Sequence, residues 1–228
     1  MVDGLFIINN ALSVNVLSMY NDEERFQHTL ETVESIDKYC PSNAKFMFDA
    51  SPNQPKEEYF LKLFERGVTT FYCGQQPEIK ALSNAGLKSV SEGIAFMLFM
   101  NWFREIKPVA KRIYKLSGRY RLNENLILDD DRYKDAFVFA NALDSWLPKD
   151  KQESAGVDKL YRLRLWHMDN SLFDTFSNTL PAIFDDCKDH GIDVEHSYYK
   201  NLHTQKVVEV NTIGVSGNIA HSGEYINE

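Results

Sequence analysis

Short apolar segments alternate with longer amphipathic segments through the first half of this 228-residue chain, and this alternation constrains the fold most. The apolar segments have the length of strands and lie at residues 5–8, 45–48 and 68–73. Segments of helical periodicity follow them, at residues 21–40, 53–66 and 89–107. Strands that alternate with helices form βαβ units, in which successive strands run parallel. The sequence therefore predicts an α/β fold with a mainly parallel, twisted sheet flanked by helices.

The fourth predicted strand, residues 112–117, ends in a sequence that suits a ligand. Ser117 and Gly118 are followed directly by Arg119 and Tyr120. In an open α/β sheet, ligands bind outside the carboxyl ends of the strands. A hydroxyl, a glycine that allows close approach of the backbone, a permanent cation and a ring together suit a phosphate or a sugar. We therefore predict a binding site at this corner.

Local signals set the expected helix starts. Asn21 with Glu24, and Ser89 with Glu92, have the spacing of capping boxes. The second capping box would explain both of its residues without any ligand. Asn53 is the expected cap of the second helix.

The remaining segments are less regular. Residues 74–88 are expected to form a loop. The second half is expected to add strands at residues 137–139, 160–166 and 206–210, helices at 170–189 and 193–202, and a tail at 214–228.

Composition and charge exclude several classes of protein. The formal net charge of −8 argues against a nucleic-acid binder, which needs a basic surface. Cys40, Cys73 and Cys187 are widely spaced and lack zinc-site spacing, so reduced thiols are expected. The start of the chain lacks the pattern of a signal peptide, and the apolar run at residues 94–103 is too short to span a bilayer. We expect a soluble, cytoplasmic protein without a nucleic-acid partner or a membrane span.

The order of these segments resembles that of a small GT-A glycosyltransferase, the fold of the family 2 enzymes and of compact versions in bacteria and their viruses. Residues 30–36 are similar to the first helix of that family. Residues 49–51 stand where the family has an acid that reads the nucleoside. Residues 84–93 are similar to the loop and helix start beside the nucleotide-sugar, and Glu195 opens a segment similar to the family's paired-acid motif. The resemblance extends over residues 5–223 and rests on the shared order of these motifs.

The resemblance implies a hexosyltransferase that moves a sugar from a nucleoside diphosphate, with UDP expected, to a glycan or other hydroxyl acceptor. Residues 1–123 would bind the nucleotide-sugar, and residues 124–228 would supply the acceptor half and tail of a single domain, residues 1–228. Glu195 would be the catalytic base, and Arg119 would stabilise the leaving diphosphate. The expected nucleotide-sugar ligands are Asn10, Ser13, Asp49, Ser51, Lys88, Ser117, Gly118, Arg119 and Tyr120. Trp166 and Tyr198 are candidate platforms for sugar rings.

The chain departs from the family pattern at the metal site. Family members usually carry Asp-x-Asp at the end of the strand after the buried helix, whereas residues 117–119 read Ser-Gly-Arg. An arginine supplies permanent charge and bidentate hydrogen bonds to a diphosphate. Asp129, Asp131 and His221 are the candidate ligands for Mn²⁺ or Mg²⁺, both of which accept hard oxygen ligands. We expect Arg119 to contact the diphosphate and a metal ion to have a secondary role.

Two other functional classes stay open. A non-catalytic GT-A-like module that binds a sugar or a protein would explain the missing Asp-x-Asp as decay of a metal site. A nucleotidyltransferase should carry a glycine-rich, cationic loop directly after the first strand. Residues 8–12 contain no glycine, which makes this class less favoured. Structural roles are also open, namely an ion pair for Arg119, a turn for Asp49 and a first-turn helix acid for Glu195.

Overall fold

The computed structural model describes residues 2–14, 18–106, 109–219 and 222–228, and the predicted metal ligand His221 lies outside these ranges. The strands are β1 (Val2–Asn10), β2 (Ala44–Asp49), β3 (Val68–Tyr72), β4 (Ala110–Ser117), β5 (Tyr120–Leu122), β6 (Phe137–Ala140), β7 (Leu143–Asp144), β8 (Lys159–Leu160), β9 (Leu165–Asp169), β10 (Val207–Val210), β11 (Val215–Asn218) and β12 (Tyr225–Asn227). The α-helices are α1 (Asp22–Tyr39), α2 (Glu57–Glu65), α3 (Pro77–Asn84), α4 (Lys88–Ile106), α5 (Lys149–Ala155), α6 (Phe173–Asp189) and α7 (Val194–Leu202).

Seven of these strands form the main sheet, in the order β10-β6-β9-β4-β1-β2-β3. The β1–β2, β2–β3, β1–β4 and β6–β10 pairs are parallel, which confirms the prediction of a mainly parallel sheet. Strand β9 runs antiparallel to both β4 and β6. Because of this reversal, the residues that precede β9 reach the same edge of the sheet as the carboxyl ends of β1, β2 and β4. We call this the carboxyl edge.

Helices cover both faces of the sheet. Phe96, Phe99 and Phe103 of α4 are buried in one core with Phe48 of β2, and the Phe99 and Phe48 rings lie 5.4 Å apart. Burial of so many aromatic side chains shows that the apolar run at residues 94–103 packs deep against the sheet as part of α4. No α-helix in the described ranges is long and apolar enough to cross a bilayer.

A second core fills the other face, where Phe26, Val33 and Ile36 of α1 pack with residues of β1 and β4. Asn21 caps α1, and its side chain and that of Glu24 form the predicted capping box. The start and the buried stripe of this helix therefore agree with the sequence.

Helix α1 also carries buried hydroxyls that hold the chain after β4. Thr29 Oγ1 donates to the carbonyl of Gly118 at 3.1 Å, and Thr32 Oγ1 donates to the carbonyl of Tyr120 at 2.8 Å. These threonines lie about one helical turn apart, so both hydroxyls lie on the helix face that packs against residues 118–120. The corner between β4 and β5 is thus fixed by side chains of α1.

Three local predictions are wrong. The chain crosses residues 161–164 without strand structure, so the predicted strand at 160–166 is divided between β8 and β9. In this segment Tyr161 and Leu163 insert into the core from a loop. The predicted loop at 74–88 contains α3, whose weak apolar pattern reflects a single buried side chain, Ile79. Helix α2 begins at Glu57 after Lys56, so Asn53 is not its cap.

Replacing Thr32 by valine should show how far α1 stabilises the corner. The substitution keeps the shape but removes the donor to the Tyr120 carbonyl, so we expect the free energy of unfolding to fall by about 1–2 kcal/mol in urea titrations. Thr179→Val is the matched control, because the Thr179 hydroxyl donates to the carbonyl of Thr175 in its own helix and, within the described ranges, to no other element. Equal losses in the two variants would contradict this role for Thr32.

Candidate active site

The loops after β1 and β2 are joined by a buried polar network. Asp49 is 0% exposed, and its carboxylate accepts the backbone amides of Leu12 and Ser51, each at 2.9 Å. The amide of Ser13 donates to Ser51 Oγ at 2.9 Å. Burial raises the pKa of Asp49, and the hydrogen bonds from Ser51 and Leu12 oppose that shift. Asn10 is also buried, and its Nδ2 donates to the Thr29 hydroxyl at 2.7 Å.

Four predicted nucleotide-sugar ligands therefore lie together, as the sequence indicated, but all four are buried and their hydrogen bonds are made within the protein. Asn10, Ser13, Asp49 and Ser51 order the two loops, and full burial leaves no atom of Asp49 or Ser51 open to a ligand in this structure. A carboxylate that accepts two backbone amides is satisfied without a nucleoside. The turn-closing role for Asp49, which the sequence left open, matches its contacts.

Two arginines lie beside this network. Arg25 of α1 is buried, and its Nε donates to the Ala11 carbonyl at 2.6 Å. The pKa of Arg25 is lowered to about 10, mainly by burial and also by the positive charge of Arg119, while the charge of Asp49 opposes the shift. Arg119 is half-buried, and its Nε is buried without a hydrogen-bond partner among the described residues. An unpartnered guanidinium N–H is costly and indicates a missing acceptor.

Lys88 supplies a third cation at the rim. Although the residue is exposed, surrounding protein atoms remove enough water from its ammonium group to lower its pKa. The charges of Arg119 and Arg25 lower the pKa of Lys88 further, while Glu92 and Glu195 oppose the shift. Three cations thus lie within electrostatic reach of one another on a chain of net charge −8. Such a local concentration of positive charge attracts an anion.

Glu92 takes a different role from the one expected. Helix α4 begins at Lys88, so Ser89 lies within the helix, and the predicted capping box is wrong. The Glu92 carboxylate instead accepts a hydrogen bond from the Asn9 side chain at the end of β1. The other polar atom of that amide, Asn9 Oδ1, is buried without a partner among the described residues. Glu92 therefore belongs to the carboxyl edge.

Lys115 was not predicted as a site residue. It is buried on β4, where its Nζ donates to the Leu163 carbonyl at 2.7 Å and to Ser117 Oγ at 3.0 Å. Burial lowers the pKa of Lys115 to about 8, and the charges of Glu92 and Glu195 oppose the shift. The available signal was a lysine between Tyr114 and Leu116 in a predicted strand, since a lysine is rarely buried without a partner.

Glu195 lies in the first turn of α7, which Asp193 caps. Burial raises the pKa of the Glu195 carboxyl, the charges of Asp193 and Glu92 add to that shift, and Lys115 opposes it. The structure therefore brings Glu195 near the end of β4 and into the electrostatic environment of Lys115 and Glu92. Its role as a base stays a prediction.

The two predicted metal ligands that the structure describes, Asp129 and Asp131, lie away from the carboxyl edge. Asp129 pairs with Lys111 at the amino end of β4, and Asp131 begins a 3-10 turn close by in the chain. Lys111 and Ser117 are six positions apart on β4, which separates them by roughly 20 Å at about 3.3 Å per residue. Within the described ranges, no group of three or more His, Cys, Asp and Glu side chains is arranged to hold a metal ion. A pocket of about 280 Å³ lies at this opposite edge, lined in part by Lys111, Arg112 and Asp129.

The predicted aromatic contacts need correction. Trp166 and Tyr198 are 1% and 2% exposed, and their rings lie 5.7 Å apart within the core, so neither can stack on a sugar. Tyr120 is also buried, with the guanidinium of Arg164 5.6 Å from its ring centroid. All three rings stabilise the core instead, which is the commonest role of an aromatic side chain on an apolar strand or helix face.

Comparison with known proteins identifies the fold. No family model and no curated protein matches the sequence. Core-mannan synthase A from Aspergillus fumigatus, in its Mn/GDP form, has a similar structure with a TM-score of 0.55 and 11% identity, over 96% of this chain and 75% of that one. A CTP:phosphocholine cytidylyltransferase from Streptococcus pneumoniae is also similar, with a TM-score of 0.53 and 12% identity, over 95% of this chain and 93% of that one. The chain has a GT-A-like fold, as its resemblance predicted.

Gly118 tests how tightly the corner is packed. A Cβ at this position would lie 2.9 Å from Asn10 Cγ, too close for the present packing. We expect Gly118→Ala to lower the free energy of unfolding by about 1–3 kcal/mol in urea titrations. If the cause is steric, adding Asn10→Ala should recover about 1 kcal/mol relative to the sum of the two single losses. Strict additivity would contradict the proposed contact.

Proposed function

We propose that this protein is a glycosyltransferase of the hexosyltransferase class, moving a sugar from a UDP-sugar to a hydroxyl acceptor. The observation that carries the proposal is the convergence of Arg25, Lys88 and Arg119 at the carboxyl edge, with Arg119 Nε lacking a partner among the described residues. The edge is where open α/β sheets bind their ligands. A diphosphate supplies the negative charge and the acceptor oxygens that this arrangement lacks.

In the proposed reaction, the cations stabilise the leaving nucleoside diphosphate. Negative charge grows on the diphosphate as the bond to the sugar breaks, and cations fixed in advance favour that transition state. Arg119 is placed to donate to it from the end of β4. Arg25 is held by the Ala11 carbonyl and acts mainly through its charge. Lys88, at the exposed rim, can follow the diphosphate as it leaves.

Glu195 is the proposed base that takes the proton of the acceptor hydroxyl in an inverting transfer. A base works best when its pKa lies near the working pH, and burial raises the pKa of Glu195 in that direction. Lys115 favours the ionised carboxylate through its positive charge. The loop at residues 161–164 and the start of α7 would form the acceptor side of the cleft.

Asp129 and Asp131, which were predicted as metal ligands, and the buried Asp49 do not fit a divalent metal at the diphosphate. Asp129 and Asp131 lie at the opposite edge, and both carboxylate oxygens of Asp49 accept backbone amides. We propose that the arginines take the charge-neutralising role that Mn²⁺ or Mg²⁺ has in related enzymes. Because Cys40, Cys73 and Cys187 are free thiols, we place the reaction in the cytoplasm.

The fold alone does not separate this function from nucleotidyl transfer or from binding without catalysis. Incubation with UDP-sugars, and separately with nucleoside triphosphates and sugar phosphates, separates the three. A glycosyltransferase should slowly transfer the sugar to water and release UDP. A nucleotidyltransferase should join a nucleoside triphosphate to a phosphorylated substrate and release pyrophosphate, and a binding module should do neither. Release of UDP from one sugar nucleotide supports the proposal, and no turnover of any UDP- or GDP-sugar would oppose it.

Arg119→Gln should weaken nucleotide binding strongly. A hydrogen bond from a charged donor contributes about 1.5–3 kcal/mol, so calorimetry should show the Kd for UDP rising about 10–100-fold. Arg132→Gln is the matched control, because Arg132 is exposed and, among the described residues, bonds Asp130 alone, far from the carboxyl edge. An unchanged Kd in the Arg119 variant would remove the basis of the assignment.

Glu195→Gln should separate catalysis from binding. We expect kcat for UDP release to fall about 10²–10⁴-fold with little change in UDP affinity, because a base acts on the acceptor or on water. In the unchanged protein, activity should be lost as the pH is lowered, because the base must be ionised. The midpoint of that loss should lie at a higher pH than for an ordinary glutamate, because the pKa of Glu195 is raised. Glu153→Gln, on an exposed part of α5, is the control. A fall in UDP affinity that matches the fall in kcat would contradict the role.

A further inference from the structure

Two arginines before β9 converge on one carboxylate. Arg162 Nη1 and Arg164 Nη1 both donate to Oε1 of Glu228. The Glu228 side chain is 10% exposed, whereas that of Arg162 is 41% exposed, so solvent reaches the site from the Arg162 side. Glu228 Oε2 is buried and has no hydrogen-bond partner among the described residues. The carboxylate therefore fills the site but uses only one of its two oxygens.

The arginine pair lies next to the corner that carries Arg119. The amide of Ser117 donates to the Arg164 carbonyl at 2.8 Å, which ties the segment before β9 to the end of β4. The guanidinium of Arg164 lies over the Tyr120 ring, and Tyr120 follows Arg119 directly. Lys115 contacts the intervening residue, Leu163, through its carbonyl. The pair is therefore positioned on the acceptor side of the proposed site.

Glu228 reaches the arginines from a small antiparallel sheet of order β12-β11-β5. This sheet packs closely on the corner, since a Cβ on Gly217 of β11 would lie 2.9 Å from the Arg119 carbonyl. Glu228 follows β12 and exchanges backbone hydrogen bonds with Val215. Its carboxylate is thus a tethered anion, held at the site by strand pairing.

We propose that Arg162 and Arg164 form a subsite for a carboxylate or phosphate group of the acceptor, which Glu228 occupies when no acceptor is bound. This inference rests on the proposed sugar transfer. Arginine side chains bind oxyanions best through paired hydrogen bonds to two oxygens. Glu228 offers one oxygen to both arginines, so an acceptor that offers two or three oxygens can replace it. The acceptor would then be an acidic sugar or a sugar phosphate.

The test follows the arginine side-chain Nε–H signals by NMR during titration with glucose 6-phosphate, glucuronate and neutral glucose. We expect the two acidic sugars to shift the Arg162 and Arg164 signals and glucose to leave them unchanged. Comparison of the two acidic sugars tells which oxyanion the site prefers, and either preference supports the subsite. If neither acidic sugar shifts these signals, the proposal is overturned. The Arg119 signal, followed with UDP, reports the donor site separately, so failure of the subsite and failure of the proposed function remain distinguishable.

Removal of the tethered anion should strengthen binding. If Glu228 occupies the site about 90% of the time, Glu228→Gln should lower the Kd of the preferred acidic sugar about tenfold. Glu224→Gln changes the same charge on the same segment, where the Glu224 side chain is exposed, and should leave the Kd unchanged. Adding Arg162→Gln to Glu228→Gln should abolish the gain. Arg162→Gln alone, a change at a partly exposed side chain, should weaken binding even if the Glu228 variant does not fold. Equal Kd values for the Glu228 and Glu224 variants, or an unaffected Kd in the Arg162 variant, would overturn the proposal.

Discussion

The buried guanidinium of Arg25 is the constraint on which the candidate site depends. It donates to the Ala11 carbonyl in the loop after β1, and its charge acts on both Asp49 and Arg119. A buried cation needs nearby negative charge or hydrogen-bond acceptors. Asp49 supplies negative charge on one side, whereas on the other side Arg119 adds a second positive charge. The resulting excess of positive charge at the carboxyl edge is the physical basis for expecting a diphosphate there.

The reversed strand β9 gives the site its second half. Because β9 runs against β4, the residues before it return to the carboxyl edge, where Leu163 accepts from Lys115 and Arg164 accepts from Ser117. Glu195 reaches the same region at the start of α7. The proposed donor-side cations and the proposed acceptor-side groups therefore meet around the end of β4. The charges of Glu92 and Glu195 act on the pKa of Lys115, and the charge of Lys115 acts on the pKa of Glu195, as often happens between groups in active sites.

Much of this fold could be predicted from local pattern. The apolar strands, the capping box of α1 and the buried helix α4 follow from periodicity and cap chemistry. Contacts between residues that are distant in sequence could not be predicted from local pattern. Glu92 has the spacing of a capping box but contacts Asn9, and Trp166 has the chemistry of a sugar platform but lies in the core. Arg25 was missed because a single arginine before an apolar stripe looks like an ordinary helix surface residue. Only the packing of α1 against the loop after β1 makes it central.

A crystal structure of the protein with UDP would test the central claim most directly. We predict that oxygens of the diphosphate lie within about 2.7–3.2 Å of the Arg119 guanidinium nitrogens, with Arg25 and Lys88 nearby. The nucleotide would then lie outside the carboxyl ends of β1, β2 and β4. A diphosphate bound instead in the pocket beside Lys111 and Arg112, at the opposite edge of the sheet, would contradict the account.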